Sequence, residues 1–375
     1  MTIESFNRKE VDHTKEYMFF GEQPNIARYD VQRWPIFEQL IEKHLGFFWK
    51  PDEIDLTKDN TDFKRLSDHE KHIFMENLKY QTLLDSVQGR SPNLAFLPYV
   101  SLPELETLIE NWSFSETIHS RSYTHILRNI LVDPATEFDN IINNPNIMKR
   151  AEAVTKYYDD FMEYASLYSL FGEGKHKFNG KEYNISLREL KRKLILCMAS
   201  VNILEGVRFY VSFACAFAFA ENEVMEGNAK IIGLIARDEN LHLAITQNIL
   251  KKWANGKDDP EMEELFNEEI DNIKEMYLEA VEQEKEWSAY LFKDGSMMGL
   301  NDKILNSYVE YIAGRRMRAI GIKNDYSAKN PLTWTDKYLV SSDNQVAPQE
   351  VEITAYVLGG IKHDINENTF KDIEF

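Results

Sequence analysis

The chain carries the stretch FSETIHSRSYTH at residues 114–125, in which Glu116 and His119 stand three residues apart. Residues at this spacing share one face of a helix, so the carboxylate and the imidazole can point at a common site. The stretch ARDENLH at residues 236–242 repeats the spacing with Glu239 and His242. One such pair alone is weak, because a partly exposed helix often produces it by chance. The weight of the pattern therefore depends on what accompanies each pair.

Two further acids precede these pairs at similar intervals. Asp85 comes 31 residues before Glu116, and Glu205 comes 34 residues before Glu239. Both acids lie among apolar residues with a helical pattern, where an unpaired carboxylate would be costly. The chain thus has, twice, an acid on one helix and a Glu-x-x-His pair on the next. This is the ligand pattern of ferritin-like bundles that bind two metal ions. The sequence therefore predicts an all-α, ferritin-like helical bundle, with Asp85 in place of one glutamate.

The predicted ligands also indicate the kind of ion. Carboxylates bridge and neutralise a dinuclear centre, which suits iron or manganese and leaves coordination positions open for O₂. The alternative is a structural cluster in which the buried acids pair only with arginine or lysine. Tyr123 follows His119 by one helical turn, so its phenol is expected near the ions. The alternative for Tyr123 is an ordinary core tyrosine with a hydrogen-bonded hydroxyl.

The composition supports a folded, helix-rich chain. Of 375 residues, 43% are hydrophobic, and 16 Gly and 11 Pro are too few for a β protein with many tight turns. The net charge of −19 repels phosphate backbones and anionic membrane surfaces, so neither nucleic acid nor membrane is an expected partner. Cys197 and Cys215 cannot form a disulfide framework, and the longest apolar stretch, residues 209–220, is too short to span a bilayer. We expect a cytoplasmic protein.

Helical periodicity runs through most of the chain. Three Ser-x-x-Glu sequences, beginning at Ser67, Ser101 and Ser186, predict capping boxes at helix starts. The pattern predicts helices at residues 34–48, 67–87, 103–131, 146–171, 186–221, 223–253, 260–290 and 301–321. Asn179-Gly180 between two short alternating runs predicts a small β-hairpin insertion at residues 175–185. Periodicity fades after about residue 322, so we expect one helical domain over residues 1–345 and a flexible tail over 346–375.

The chain also resembles a known family over nearly its whole length. It is similar to the small, radical-generating subunit of class I ribonucleotide reductase, in the form that carries a tyrosyl radical. The motifs that carry the resemblance are residues 18–21 (MFFG), 25–30 (NIARYD), 70–74 (EKHIF), 84–86 (LDS), 114–125 (FSETIHSRSYTH), 208–213 (RFYVSF) and 236–242 (ARDENLH). Motifs of this length, spread this widely, are specific for the family.

The resemblance implies a role for each candidate residue. It implies two iron ions per chain in an oxo-bridged pair, with manganese as the other candidate metal. The two ligand sets would be Asp85, Glu116 and His119, and Glu205, Glu239 and His242. Tyr123 would hold the radical. Trp49 and Asp238 match the residues that link His119 toward the subunit surface, and Tyr356 matches the relay tyrosine that passes the radical to the large subunit.

The resemblance implies partners as well. The C-terminal tail would bind the large, catalytic subunit that reduces ribonucleotides, two copies of the chain would form a homodimer, and O₂ and an electron donor would be needed to form the radical. No nucleotide is expected to bind here, since the sequence has no glycine-rich phosphate loop. Two other di-iron functions share the ligands. A ferroxidase or storage protein would need a shorter, cage-forming chain, and a desaturase or monooxygenase would not need Tyr123 or Tyr356.

Overall fold

The computed structural model describes residues 5–339, most of which are helical. The α-helices in chain order are α1 (Pro35–Gly46), α2 (Thr57–Arg65), α3 (Asp68–Gln88), α4 (Ser91–Ala95), α5 (Pro103–Ile130), α6 (Pro134–Asp139), α7 (Pro145–Phe171), α8 (Leu187–Ile203), α9 (Tyr210–Glu221), α10 (Glu226–Ala254), α11 (Pro260–Leu291), α12 (Asp302–Ala319) and α13 (Asp336–Leu339). A π-helical segment, Leu204–Arg208, joins α8 to α9. Two strands, β1 (Gly174–Phe178) and β2 (Lys181–Ile185), lie between α7 and α8.

All eight helices predicted from the periodicity are present, with ends close to the expected ones. The periodicity missed α2, because this helix is mostly polar. Two buried acids explain its position. Asp59 accepts hydrogen bonds from the backbone N–H groups of Gly227 (3.0 Å) and Asn228 (2.6 Å), and Asp62 accepts one from Met225 (3.2 Å). Because the first N–H groups of α10 have no partner within that helix, these acids of α2 cap it.

Two of the three predicted serine caps are observed, and one of them is a complete capping box. At the start of α3, the side chains of Ser67 and Glu70 cap each other's backbone N–H groups. At the start of α8, Ser186 accepts a hydrogen bond from the N–H of Glu189 (3.2 Å). The reciprocal half is missing there, because the Ser186 N–H donates to the hydroxyl of Tyr164 (3.0 Å).

The capping box predicted at Ser101 is wrong. The hydroxyl of Ser101 accepts a hydrogen bond from the N–H of Gly21 (2.8 Å). Glu104 accepts two more, from the N–H groups of Arg33 (3.0 Å) and Trp34 (3.1 Å) just before α1. Both side chains therefore satisfy backbone donors of the N-terminal segment, which packs over the start of α5. A local sequence pattern could not show this competing partner.

The predicted hairpin is confirmed. β1 and β2 pair antiparallel, with Gly174 opposite Ile185 and Phe178 opposite Lys181. Asn179 and Gly180 at the turn have φ values of 49° and 79°. Positive φ at both central residues is the type I′ turn, whose twist matches that of the paired strands.

A continuous helical run, residues 187–221, passes through the centre of the molecule as α8, the π segment and α9. It is longer than the apolar stretch visible in the sequence at residues 209–220. Part of it reaches a mean hydropathy of 1.6, enough by length and composition to cross a membrane, but 94% of that part is buried inside the fold. A helix that is apolar on all sides is a core helix when other helices surround it.

Helices α3, α5, α10 and the α8–α9 run form the central bundle. α3 packs against α5 and α9, and α10 packs against α5, α8 and α9. α1 closes one side against α5 and α10, while α7 and α11 pack on α8, and α12 packs on α11. The all-α, ferritin-like fold with additional helices and a small hairpin is thus confirmed. The boundary at residue 345 lies outside the described residues and stays a prediction.

Candidate metal centre

The six predicted ligands converge in the middle of the bundle. They are Asp85 on α3, Glu116 and His119 on α5, Glu205 in the π segment, and Glu239 and His242 on α10. All six side chains are 0% exposed. Acids and imidazoles rarely lie so deep without an oppositely charged partner, so this cluster needs a source of positive charge.

Glu116 and Glu239 lie between the two imidazoles. His119 Nδ1 is 3.0 Å from Glu116 Oε2 and 3.1 Å from Glu239 Oε1. His242 Nδ1 is 2.9 Å from Glu116 Oε1 and 2.9 Å from Glu239 Oε2. Each carboxylate thus directs one oxygen toward each imidazole, which is the arrangement of a carboxylate that bridges two ions. The resemblance had assigned these glutamates to separate ions, whereas in the structure each belongs to both of the groups that could hold a metal.

The other two carboxylates each belong to one group. Asp85 Oδ2 is 3.9 Å from His119 Nδ1, and neither oxygen of Asp85 has a hydrogen-bond partner in the described part of the chain. Glu205 accepts a hydrogen bond from Gln88 through one oxygen, while its Oε2 has no partner there. Buried oxygens without donors are destabilising. Two divalent cations would balance the four carboxylates and supply partners for these oxygens, so the residues fit a pair of metal ions.

The pKa values follow from this excess of acids. Burial and the neighbouring carboxylates raise the pKa of Asp85 and of Glu205 well above the usual range. Burial opposes protonation of the imidazoles, but the surrounding carboxylates overcome it, so the pKa of His119 is raised well above its usual value and that of His242 rises to about 9. For Glu239, the neighbouring His242 outweighs burial and lowers the pKa. Without metal, protons therefore supply part of the missing positive charge.

The π segment directs Glu205 into the cluster. The helical periodicity of the sequence did not reveal this segment. A single π turn inside an α-helix is frequent at functional sites, because it shifts one side chain out of the regular register. Gly206 follows the ligand, and a Cβ atom at this position would lie 2.9 Å from Leu243 Cδ1. The Gly206 carbonyl accepts a hydrogen bond from Arg316 Nε (3.3 Å). The glycine therefore allows α10 and α12 to approach the segment closely.

Sequence reasoning missed two residues that hold the ligands in place. Trp112 Nε1 donates a hydrogen bond to Glu116 Oε1 (2.9 Å), and Gln88 donates one to Glu205. The hydroxyl of Tyr158 donates to Gln88 Oε1 (3.0 Å) and so fixes the orientation of the amide. The sequence spacing could have indicated Trp112, since it precedes Glu116 by one helical turn.

Trp49, Asp238 and His119 form a hydrogen-bonded chain that leads away from the cluster. Trp49 Nε1 donates to Asp238 Oδ2 (2.8 Å), and the same oxygen is 3.2 Å from His119 Nε2. Burial raises the pKa of Asp238, but the hydrogen bond and charge of His119 lower it below the ordinary value. Since Nδ1 of His119 faces the carboxylates, Asp238 holds the other ring nitrogen, as partners of metal-binding histidines commonly do.

Tyr123 lies in the core beside the cluster. It is 0% exposed, and its hydroxyl interacts with the Asp85 carboxylate without forming a hydrogen bond of ordinary geometry among residues 5–339. Burial and the nearby Asp85 carboxylate raise its pKa well above 10. The structure therefore places a neutral phenol next to the candidate ligands, as the spacing from His119 predicted. Tyr356 lies outside the described residues.

The fold and the site together define a ferritin-like protein with a buried cluster of carboxylates and histidines that could hold two metal ions. The sequence profile of "Ribonucleotide reductase, small chain" matches residues 31–331. The chain belongs to this family of ribonucleotide reductase small chains.

Similar proteins agree over the full length. The chain is 55% identical to ribonucleoside-diphosphate reductase 1 subunit beta of Escherichia coli O157:H7 over 375 residues, 100% of both chains. It is 42% identical to ribonucleoside-diphosphate reductase subunit beta of Enterobacteria phage T4, with 96% of each chain covered. Among solved structures, it resembles the ribonucleotide reductase R2 subunit from Clostridium botulinum, with 26% identity, a TM-score of 0.76, and 90% of this chain and 98% of that chain covered.

Family membership confirms several expectations. The chain is the small subunit of a ribonucleotide reductase, an oxidoreductase, and it works with a separate large subunit. The alternatives of a ferroxidase or storage protein and of a desaturase or monooxygenase are not favoured, since the matching relatives are reductase subunits over their full length.

Proposed function

We propose that this chain generates and stores a tyrosyl radical that the large subunit uses to reduce ribonucleoside diphosphates to deoxyribonucleotides. The radical residue is Tyr123. The metal is iron, two ions per chain, bound by Asp85, Glu116, His119, Glu205, Glu239 and His242. The observation that carries the proposal is the position of Tyr123, which is fully buried and whose hydroxyl interacts with Asp85 of the ligand cluster.

The residues around the cluster have separate roles in radical formation. When bound, a pair of iron ions supplies the reaction with O₂ that can oxidise a nearby phenol. Glu116 and Glu239 would help to hold both ions, because each directs one oxygen toward His119 and the other toward His242. Oxidation of a phenol releases its proton, and Asp85 is the carboxylate beside Tyr123 that can accept it. Burial then keeps water and reductants from the radical, which allows it to persist.

The route out of the core is the hydrogen-bonded chain His119, Asp238 and Trp49. Trp49 is 4% exposed, whereas its neighbour Phe48 is 60% exposed, so the chain ends just beneath the surface. Transfer from Trp49 to the large subunit would continue through Tyr356 in the tail, residues 346–375, which also binds that subunit. In this proposal the protein works in the cytoplasm as a homodimer and takes the remaining electron for radical formation from an external donor.

Electron paramagnetic resonance on reconstituted protein tests the core of the proposal. Metal-free protein is loaded with iron(II), exposed to O₂ and compared with protein loaded with manganese(II). We expect about two ions per chain and a tyrosyl signal in the iron sample. Tyr123→Phe is the matched control, since it keeps the ring and should keep the metal but lose the signal. Full iron loading without a radical in the wild-type protein would contradict the proposal and favour a ferroxidase or monooxygenase.

The tail is tested separately. Deletion of residues 356–375 should leave metal content and the Tyr123 radical unchanged but abolish binding to the large subunit. A synthetic peptide of the same sequence should compete with the intact protein. Tyr356→Phe should bind normally and fail in turnover, because phenylalanine cannot carry the radical. If the truncated chain still bound the large subunit and supported turnover, the tail would have neither the binding role nor the radical-transfer role.

A further inference from the structure

A series of hydrogen bonds joins the last described residues to both halves of the ligand cluster. This series, here the Asn240 network, consists of Leu339, Asn240, Tyr210, Arg316 and Gly206. Asn240 Nδ2 donates to the Leu339 carbonyl (3.3 Å), and Asn240 Oδ1 accepts from the Tyr210 hydroxyl (3.0 Å). Arg316 Nη2 donates to the same hydroxyl (2.8 Å), and Arg316 Nε donates to the Gly206 carbonyl (3.3 Å). The network therefore connects α13, α10, α9, α12 and the π segment.

The direction of these hydrogen bonds is fixed from one end. An arginine side chain has only donors, so the Tyr210 hydroxyl accepts from Arg316 and uses its own proton for Asn240. That leaves the amide nitrogen of Asn240 for the Leu339 carbonyl. Asn240, Tyr210 and Arg316 are each at most 3% exposed, so water is not at hand to replace these partners. The position thus needs an acceptor on one side and a donor on the other, and the amide of Asn240 supplies both.

The network reaches the residues that follow two of the ligands. Gly206 comes directly after Glu205, and Asn240 comes directly after Glu239. A π turn is a rare conformation within a helix, so contacts from outside must help to hold it. The hydrogen bond from Arg316 to Gly206 is such a contact. A change in the network would therefore shift the backbone that carries Glu205 and Glu239.

The other end of the network is a short helix that depends on its neighbours. α13 has four residues, far fewer than a helix needs to be stable alone. The Tyr338 ring stacks on Phe217 of α9, with ring centroids 4.4 Å apart and planes 4° from parallel, and its hydroxyl donates to Glu221 (2.5 Å). Lys337 pairs with the same carboxylate. α13 thus has two states, seated against α9 and α10 or released, and a few side chains at the edge of the fold hold the seated state.

We propose that Asn240 is a positioning residue for the metal centre, and that the seating of α13 acts through its amide on the segments that carry Glu205 and Glu239. Release of α13 removes the acceptor of the Asn240 amide nitrogen, and a buried donor without a partner is destabilising. The amide then adjusts, and the hydrogen bonds through Tyr210 toward the π segment weaken, because the bonds of a network support one another. The two ligands are then held less firmly although neither has been altered.

This inference rests on the proposed metal centre and adds a means of regulating it. In the sequence, Leu339 directly precedes residues 340–375, which include the tail proposed to bind the large subunit. Binding of the tail therefore acts on the chain directly beside α13. Coupling between two sites is reciprocal, so metal binding that fixes Glu205 and Glu239 should also favour the seated state of α13.

Hydrogen exchange measured by mass spectrometry tests the coupling without metal. The full chain in its metal-free form is compared with Tyr338→Ala, Asn240→Ala and the double variant. Tyr338→Ala removes contacts of α13 that are not part of the network. We expect the exchange rate of the backbone amides of residues 204–209 to rise about 3- to 10-fold in each single variant, as for the loss of one buried hydrogen bond. The double variant should match Asn240→Ala, because both changes act on one path.

A matched control and a second measurement complete the test. Tyr183→Ala replaces a partly exposed tyrosine on β2 of the hairpin and should leave the exchange of residues 204–209 unchanged. All variants are then loaded with iron(II) without O₂, and the rate of metal loss to a chelator is recorded. Tyr338→Ala and Asn240→Ala should lose metal about 3- to 10-fold faster than the wild type, and Tyr183→Ala at the wild-type rate.

The outcomes separate this inference from the proposed metal centre. A wild-type protein that binds no metal would overturn the metal centre, whereas exchange in the metal-free chain would still decide whether α13 is coupled to residues 204–209. Unchanged exchange of these residues in Tyr338→Ala, or effects that simply add in the double variant, would overturn the coupling. An equal rise in α7, which contributes no residue to the network, would indicate general destabilisation and would overturn it as well.

Discussion

Two buried charge clusters lie in this core, and they differ in how their charges are balanced. The first is the six-ligand cluster, with four carboxylates, two imidazoles and several unpartnered oxygens. The second, here the Glu284 cluster, joins one carboxylate to two arginines and a tyrosine. Glu284 Oε1 accepts from the hydroxyl of Tyr80 (2.8 Å) and from Arg208 (3.4 Å), and lies 3.6 Å from Arg150 Nε.

Both clusters are almost inaccessible to solvent, so burial does not distinguish them. The two clusters differ in their source of positive charge. The Glu284 cluster has fixed positive charge from its own side chains, which marks a structural ion network. The six-ligand cluster has only titratable imidazoles, and so it retains a need for cations. An unmet charge, rather than a buried acid as such, therefore identifies the candidate metal site. The two clusters are also connected, because Arg208 ends the π segment that carries Glu205.

Removal of a ligand should produce the largest effect. Glu239→Ala or His119→Ala should reduce metal content after reconstitution from about two ions per chain to nearly none, because Glu239 is shared by both groups and His119 contacts both shared carboxylates. Elemental analysis after removal of free metal measures this. Glu284→Ala is the control and should keep two ions. Equal metal loss in all three variants would abolish the distinction between the clusters.

Loss of the carboxylate in the second cluster should affect stability instead. Glu284→Gln leaves Arg150 and Arg208 buried without their acid, which should lower the free energy of unfolding by about 3–5 kcal/mol. Urea denaturation of the metal-free protein measures the change. Glu275→Gln on the exposed face of α11 is the matched control and should change it by less than about 0.5 kcal/mol. A Glu284→Gln protein as stable as the control would show that this network contributes little.

The metal-free protein should lose stability as pH rises. The pKa of His242 is about 9 in the folded chain and takes the ordinary value of 6.5 in the unfolded chain. Its contribution to the free energy of unfolding is therefore complete below pH 6.5 and disappears as the pH passes 9. The loss for this group is about 3 kcal/mol. Melting temperatures from pH 6 to 9.5 measure it. Metal displaces these protons, so the loaded protein should show a flatter profile, and identical profiles with and without metal would contradict the assignment.

Tyr80 and Tyr123, two buried tyrosines that each lie beside one of the clusters, give the smallest contrast. Tyr80→Phe removes a hydrogen bond to Glu284 and should cost about 1–2 kcal/mol. Tyr123→Phe removes a hydroxyl that forms no hydrogen bond of ordinary geometry, so it should cost less than Tyr80→Phe in the metal-free protein. Denaturation curves recorded side by side measure the difference. A larger cost for Tyr123→Phe would indicate that its hydroxyl is bonded after all, which would weaken its role as the radical residue.

Much of this molecule could be predicted from local sequence. The eight long helices, the type I′ hairpin and the shared helix face of each Glu-x-x-His pair followed from periodicity, turn residues and spacing, because these depend on residues a few positions apart. The capping box predicted at Ser101 is wrong for the opposite reason. Its hydroxyl and the Glu104 carboxylate had competing donors, at Gly21 and Arg33, from a part of the chain far away in sequence.

By itself, then, the sequence determined the helices, the residue types of the site and the face of each helix on which they stand. Only the tertiary structure decided that Glu116 and Glu239 are shared between both sides, that a π turn presents Glu205, and that Trp49 reaches Asp238. The physical reason is that spacing fixes directions within one helix, whereas contacts between helices depend on how their surfaces pack. The same reason leaves the Glu284 cluster invisible in the sequence, since its acid and its arginines come from three separate helical elements.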